Sequence, residues 1–278
     1  MSEKRLLSVQ DISCVGQCSL TVALPVISAC GIETSILPAA VLSTHTGGFQ
    51  GFTFRDLTDD IPAIVSHWER EGIVFDAVYT GYLGSRRQIA LVGDLFDRVV
   101  RKDGLRIVDP AMADHGKLYA GFDAAFAATM AELCGKADLV LPNMTEAAMM
   151  TGIPYVQEGY DEAYIRSLMD GMLALGAKTV VLTGVSYTKE KIGVAVLARG
   201  EEQISYYFHD RLPRNSHGTG DVFASSFTGA LVRGRAPLEA AQIAADFTVA
   251  AMRATEEAHW YGVRFEKVLP LLAKALEE

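Results

Sequence analysis

Leu139-Val140-Leu141-Pro142-Asn143-Met144-Thr145-Glu146 reads as an apolar strand over 139–142 that passes through one polar residue, Asn143, directly into a helix over 144–151. A buried strand feeding a helix is the unit of a parallel sheet, because parallel neighbours need a crossover and the crossover is usually helical. The same unit recurs on both sides. Strands are predicted at 6–11, 33–38, 77–80, 105–109 and 179–183, and helices at 19–30, 59–71, 86–102, 122–135, 161–175, 218–233, 237–255 and 263–276. Beyond Thr183 the connections are too short for helices, so strands at 192–197 and 204–208 read as an antiparallel hairpin on one edge. The fold class is therefore α/β: a three-layer αβα sandwich with a mostly parallel central sheet and an antiparallel edge hairpin, in one domain spanning 1–278.

Several of these strands end in polar or glycine-containing residues: Asp11, Thr80-Gly81-Tyr82, Asp109, Asn143 and Thr183-Gly184. Ligands of open α/β sheets bind beyond the carboxyl ends of the strands, which brings these residues to one rim.

Composition narrows the partners. The 278 residues carry 34 acidic against 25 basic side chains, a formal net charge of −9. A reader of phosphate backbones needs clustered Lys and Arg, so nucleic acid is not expected. Nucleotides remain compatible, since backbone N–H groups and a metal ion can supply local positive potential. Cys14, Cys18, Cys30 and Cys134 make no disulfide framework or zinc spacing, and no apolar leader follows Met1-Ser2-Glu3-Lys4-Arg5. With no run of about 18 apolar residues, a cytoplasmic protein without membrane spans is the expectation.

The stretch richest in chemistry is Arg214-Asn215-Ser216-His217-Gly218-Thr219-Gly220-Asp221, which runs into the helix at 218–233. Glycines at a helix start leave its first N–H groups free, and with the helix dipole they form an anion hole for phosphate charge. A carboxylate beside them, Asp221, can take the proton of an attacking hydroxyl. The plainer alternative is a capped helix with a glycine-shaped turn. No G-x-x-x-x-G-K-[ST] loop is present, and Phe223 occupies the third-glycine position of a dinucleotide fingerprint, leaving a kinase of another architecture.

Five strings in order complete the pattern: Ser43-Thr44-His45-Thr46, Thr80-Gly81-Tyr82-Leu83-Gly84-Ser85, Asp109-Pro110-Ala111-Met112, Pro142-Asn143-Met144-Thr145-Glu146 and Gly218-Thr219-Gly220-Asp221. From about Leu6 to about Arg253 the chain resembles the pyridoxal/pyridoxamine kinases of the ribokinase superfamily. The resemblance implies a ribokinase-like fold and ATP-dependent phosphorylation of the 5′-hydroxymethyl group of pyridoxal, pyridoxamine or pyridoxine. It makes Asp221 the base and the Gly218, Thr219 and Gly220 amides the anion hole. It assigns Asp109, Asp114 and Glu146 to Mg²⁺ and its waters, and Asn143, Thr183 with Gly184, and Tyr119 to the nucleotide. Thr46 and Tyr82, with His45 beside them, line the pyridine site. A monovalent cation is a further candidate cofactor, and a homodimer is the family-based expectation.

Two positions depart from that pattern. Asp11 stands where relatives often carry serine; its carboxylate can pair with a ring nitrogen or an aminomethyl group, grip sugar hydroxyls, or bind nearby amides. Ala113 replaces a usual glycine in the Asp109 segment. The glycine-rich segment 46–56 reads as a flap, with Phe49, Phe52 and Phe54 available to stack on a flat ring or to pack internally. Asp109 and Asn143 can also be strand-end caps, and His45 a hydrogen-bonded structural residue. Rival readings are a hydroxymethylpyrimidine kinase, whose turn often reads Gly-Thr-Gly-Cys; a sugar kinase, whose Gly-Gly-x-x-x-Asn signature is absent; and a non-catalytic B6-binding protein.

Overall fold

Alternation along the strands decides the layering. Leu7, Val9, Val78, Val108, Val140, Val180 and Leu182 bury into one apolar core, while Leu6, Ala77, Ile107, Leu139 and Val181 bury into another. Side chains two apart on a strand share a face, so the two cores lie on opposite faces of one sheet.

A computed structural model describes residues 4–213 and 216–277. Its elements run β1 (Arg5–Ser13), α1 (Leu20–Ala29), β2 (Glu33–Leu42), β3 (Phe54–Asp56), α2 (Ile61–Arg70), β4 (Phe75–Thr80), α3 (Arg86–Arg98) and β5 (Val100–Val108). A two-stranded hairpin follows, β6 (Ala113–Asp114) and β7 (Lys117–Leu118), then α4 (Ala124–Cys134), β8 (Leu139–Val140), α5 (Met144–Thr151) and α6 (Glu162–Leu175). The chain continues with β9 (Thr179–Val185), β10 (Lys191–Ala198), β11 (Ser205–Asp210), α7 (Thr219–Val232), α8 (Pro237–Ala254), a 3₁₀ turn (Phe265–Val268) and α9 (Leu269–Glu277). The main sheet has the order β11-β10-β9-β8-β5-β4-β1-β2-β3. It is parallel from β9 through to β2, and antiparallel at β9–β10–β11 and at β2–β3. Helices α2 to α6 cover one face, and α1, α7, α8 and α9 the other. This is the expected three-layer architecture with its edge hairpin. Among the described residues no helix is long and apolar enough to cross a membrane.

Several boundaries differ from the sequence reading. The helix expected over 86–102 stops at Arg98, because the β-branched pair Val99-Val100 joins the sheet: Phe75 N–H donates to Val99 C=O at 2.8 Å, and Phe75 pairs with Val100. The segment expected to be a free flap over 46–56 ends in β3, which pairs with β2. The helix expected over 263–276 is a 3₁₀ turn followed by α9. The first strand runs past Asp11 to Ser13, and its ladder with β2 slips by one residue between Gln10 and Ile12. The extra residue is on β2, where Ala39 and Ala40 lie opposite Asp11 alone, and such a bulge disrupts the ladder at the residue that faces it.

Candidate active site

The parallel register sets a rim. Thr80 is paired with Val9 and Val108, and one residue beyond the ladder Asp109 N–H donates to Thr80 C=O at 2.9 Å. Asn143 bridges Thr183, whose N–H donates to Pro142 C=O at 2.9 Å. The start of α7 reaches this rim from the other face.

At that start Gly218 has φ 79°, and a Cβ built on it would lie 1.8 Å from Gln17 O, so both backbone shape and space require glycine. The helical ladder begins with Val222 N–H donating to Gly218 C=O at 2.9 Å, and a Cβ on Gly220 would meet open space. Free first-turn amides facing open space are what an anion hole needs. Thr219 Oγ1 donates to Ser216 C=O at 3.2 Å, bracing the turn. Arg214 and Asn215, at the head of the motif, lie outside the described residues.

Burial raises the Asp221 carboxyl to about 7, and the nearby charge of Asp11 raises it further within that shift. The Ser19 amide and the Cys18 thiol hydrogen-bond it and hold the rise in check. Asp11 is 4% exposed, accepts from Ser13 Oγ at 2.9 Å, and is likewise raised by burial, against hydrogen bonds from the Ser19 and Ser13 side chains. Burial, then Glu146 and Asp221, push Asp109 well above the carboxylate range. Glu146 rises to about 8 by burial, although Oε1 accepts from Met112 N–H at 3.1 Å and Oε2 from Asn143 N–H at 2.8 Å. Charge thus links four carboxyls in a row, Asp11 to Asp221 to Asp109 to Glu146.

The other expected site residues divide. Tyr82 stacks on Phe122 at 5.6 Å, and burial and Asp11 raise its hydroxyl, placing it on the Asp11 side. Tyr119 is 42% exposed as a residue, but its hydroxyl is raised by local burial and then by Glu146, Asp114, Asp109 and Asp221, placing it on the acidic side. Thr183 is the bridge partner of Asn143, and Gly184, at φ 79°, lies one residue past it. Asn143 is engaged as a helix cap: Oδ1 accepts from Glu146 N–H at 2.9 Å and Nδ2 donates to Ala113 C=O at 2.8 Å, completing a capping box with Glu146. Asp114 stands off from the cluster on the β6–β7 hairpin, its side chain 57% exposed, with Oδ1 accepting from His115 N–H at 2.8 Å. Among the described residues no three His, Cys, Asp or Glu side chains form a ready-made metal cage.

Thr46 is exposed, whereas His45 is buried and fully engaged. Gly47 N–H donates to its Nδ1 at 3.0 Å, which makes Nε2–H the donor to Tyr261 C=O at 2.7 Å. Phe49 packs edge-on to His45 at 5.0 Å and against Trp260 at 4.7 Å, so it serves the flap rather than a free face; Phe52 and Phe54 are exposed. His217 of the glycine turn lies 5.2 Å from His45. Trp260, Tyr261, Cys18 and Ser19 complete the site and were not read from the sequence. The first two lie between the helices expected at 237–255 and 263–276, in a stretch without periodicity, and the other two lie at the start of a helix whose cap looks ordinary.

The layering and a carboxylate at a glycine-bounded helix start define a ribokinase-like small-molecule kinase. The phosphomethylpyrimidine kinase family model matches residues 27–263, and the chain belongs to that family. A Bacteroides thetaiotaomicron protein assigned as a phosphomethylpyrimidine kinase, solved with pyridoxal, superposes with a TM-score of 0.92 at 35% identity, covering 98% of this chain and 96% of that one. Pyridoxal kinase from Lactobacillus plantarum superposes at 0.91 with 31% identity over 99% of each chain. A pyridoxine/pyridoxal/pyridoxamine kinase of Bordetella bronchiseptica is 28% identical over 91% of this chain and 90% of its own length. The protein is an ATP-dependent small-molecule kinase, as the sequence resemblance implied.

Proposed function

We propose that the protein phosphorylates the 5′-hydroxymethyl group of a B6 vitamer at the expense of ATP, with Asp221 as general base. The observation that carries this reading is a carboxyl poised near neutrality, at about 7, beside open space at the free amides of α7. A base titrating near working pH combines a populated charged form with useful proton affinity. The vitamer hydroxyl gives its proton to Asp221 as its oxygen bonds the γ-phosphorus, the bond from that phosphorus to the β–γ bridging oxygen breaks, and ADP leaves. The Gly218–Gly220 turn holds the transferring group. Tyr82 and Asp11 flank the ring, and the segment around His45 and Phe49 excludes water above it.

Mg²⁺ fits the acidic side. It favours one or two carboxylates together with waters and phosphate oxygens over an all-protein cage. Asp109 is the direct ligand in this reading; Glu146, whose oxygens already accept amides, acts through water, and Asp114 lies further out. When bound, the ion neutralises phosphate charge and draws down the raised carboxyls.

A second reading, phosphorylation of a hydroxymethylpyrimidine, draws support from the family match and from a Rhizobium meliloti hydroxymethylpyrimidine/phosphomethylpyrimidine kinase 27% identical over 90% of this chain. ADP release with Mg²⁺ and ATP against pyridoxal, pyridoxamine, pyridoxine, hydroxymethylpyrimidine and ribose separates the two. A B6 preference of about tenfold in kcat/KM, worth about 1.4 kcal/mol of transition-state binding, supports the vitamer reading. A pyrimidine or ribose preference of that size sinks it.

A further inference from the structure

Ser19 stands where a helix N-cap belongs, immediately before α1, yet its hydroxyl makes no cap hydrogen bond to that helix. Its backbone is equally unusual, with φ 55° and ψ −133°. Among the described residues only Ser19 and His115 have positive φ without being glycine. His115 turns the exposed β6–β7 hairpin, whereas Ser19 is 5% exposed. A buried serine in a glycine-like conformation, with its capping group turned away from the helix, stores strain that the surroundings must enforce.

The surroundings show what the strain achieves. Ser19 forms an isolated antiparallel bridge with Ile12, next to Asp11. Turned this way, its hydroxyl faces the Asp11 carboxylate and its N–H faces that of Asp221, and each favours the ionised form of the carboxyl it faces. In ordinary N-cap geometry the hydroxyl would instead serve the first turn of α1. One residue therefore lies against both the β1 side chain that faces the β2 bulge and the side chain from the start of α7. We propose that Ser19 is a positioning residue whose strained backbone fixes Asp11 and Asp221 relative to each other, Asp11 through its hydroxyl and Asp221 through its amide.

This rests on Asp221 being the base and Asp11 facing the acceptor. Two variants take the functions of Ser19 apart. Ser19→Ala keeps the strained backbone and the amide and loses the hydroxyl; Ser19→Gly loses the hydroxyl and also releases the backbone. Using whichever hydroxyl acceptor the wild type turns over best, S19A is expected to raise the acceptor KM about tenfold, the scale of one hydrogen bond to a charged group, with kcat and the KM for ATP unchanged. S19G is expected to show the same KM rise and a lower kcat, because the amide is no longer held, while its Tm equals or exceeds that of wild type as strain is relieved. Greater stability with poorer catalysis in S19G marks a residue strained for function. S19G with raised Tm and wild-type kcat and acceptor KM overturns the inference. A wild type that prefers the pyrimidine overturns the vitamer reading alone and leaves the Ser19 comparison intact.

Discussion

Asp221 owes its reactivity to neighbours that the chain brings from distant positions. Burial raises it, Asp11 adds to the rise, and Ser19 and Cys18 limit it, so it titrates at about 7. The base must be ionised to accept a proton, and kcat/KM is expected to climb with pH through this range. Asp11→Asn removes a negative neighbour, which makes ionisation of Asp221 easier. The acidic limb of the kcat/KM profile is then expected to move to lower pH; a limb that stays put or moves up contradicts the electrostatic assignment. At this scale the sequence revealed Asp221 through its glycines, and it flagged Asp11 as a departure. It could not reveal that Asp11 lies opposite a bulge in β2, since a one-residue slip in register leaves no mark in local composition. Nor could it reveal Ser19, because Ser before an apolar helical run signals an ordinary cap.

At the scale of elements, the start of α7 separates a structural glycine from a functional one. A methyl at 218 would collide with Gln17 O and demand a left-handed backbone, which alone costs about 1–2 kcal/mol for a residue with a side chain. Gly218→Ala is expected to lower both Tm and kcat. A methyl at 220 meets only open space and improves helix propensity, so Gly220→Ala is expected to leave Tm equal or higher while kcat falls, the methyl occupying the anion site. Thermal melts and steady-state assays on the pair check this, and G220A with unimpaired kcat would remove the anion hole from that turn. The α5 start carries a structural duty as well. Asn143, for which the sequence offered capping as the plainer alternative, caps the helix, and Glu146 completes the capping box with it. Glu146 keeps an electrostatic part in the site through Asp109. Strand and helix alternation was legible from β1 to α8 because period-2 and period-3.6 patterns switch cleanly there. After Ala254 the pattern fails, since 256–264 is irregular and held by Trp260, Tyr261 and His259 packing. Only tertiary contacts specify such a segment.

The whole molecule balances two apolar cores against a rim crowded with carboxyls. Gly48, at φ 89°, passes so close to Trp260 that a Cβ would fall 2.9 Å from its ring, which ties the flap to the segment after α8 and closes the site from one side. Glu146 is raised to about 8 and Asp221 to about 7, so part of their charge is neutralised by protons near pH 7, and Asp109 is raised beside them. A cation arriving with the nucleotide favours the ionised forms, and binding of preformed Mg²⁺–ATP is expected to release protons. Titration calorimetry in two buffers of different ionisation enthalpy reads this as a buffer-dependent heat; identical heats would mean that the carboxyls do not respond to the ligand. The layered sheet and its rim followed from residue patterns, whereas the electrostatic crowding emerges only when strands remote in sequence are placed side by side. The central claim is that Asp221 takes the proton of the attacking hydroxyl, and Asp221→Asn tests it most directly: the amide keeps the shape and loses the basicity. Steady-state kinetics with saturating ATP and the preferred acceptor should show kcat lower by about 10²–10⁴-fold with KM values little changed. A D221N enzyme that retains kcat within a few-fold of wild type would contradict the account.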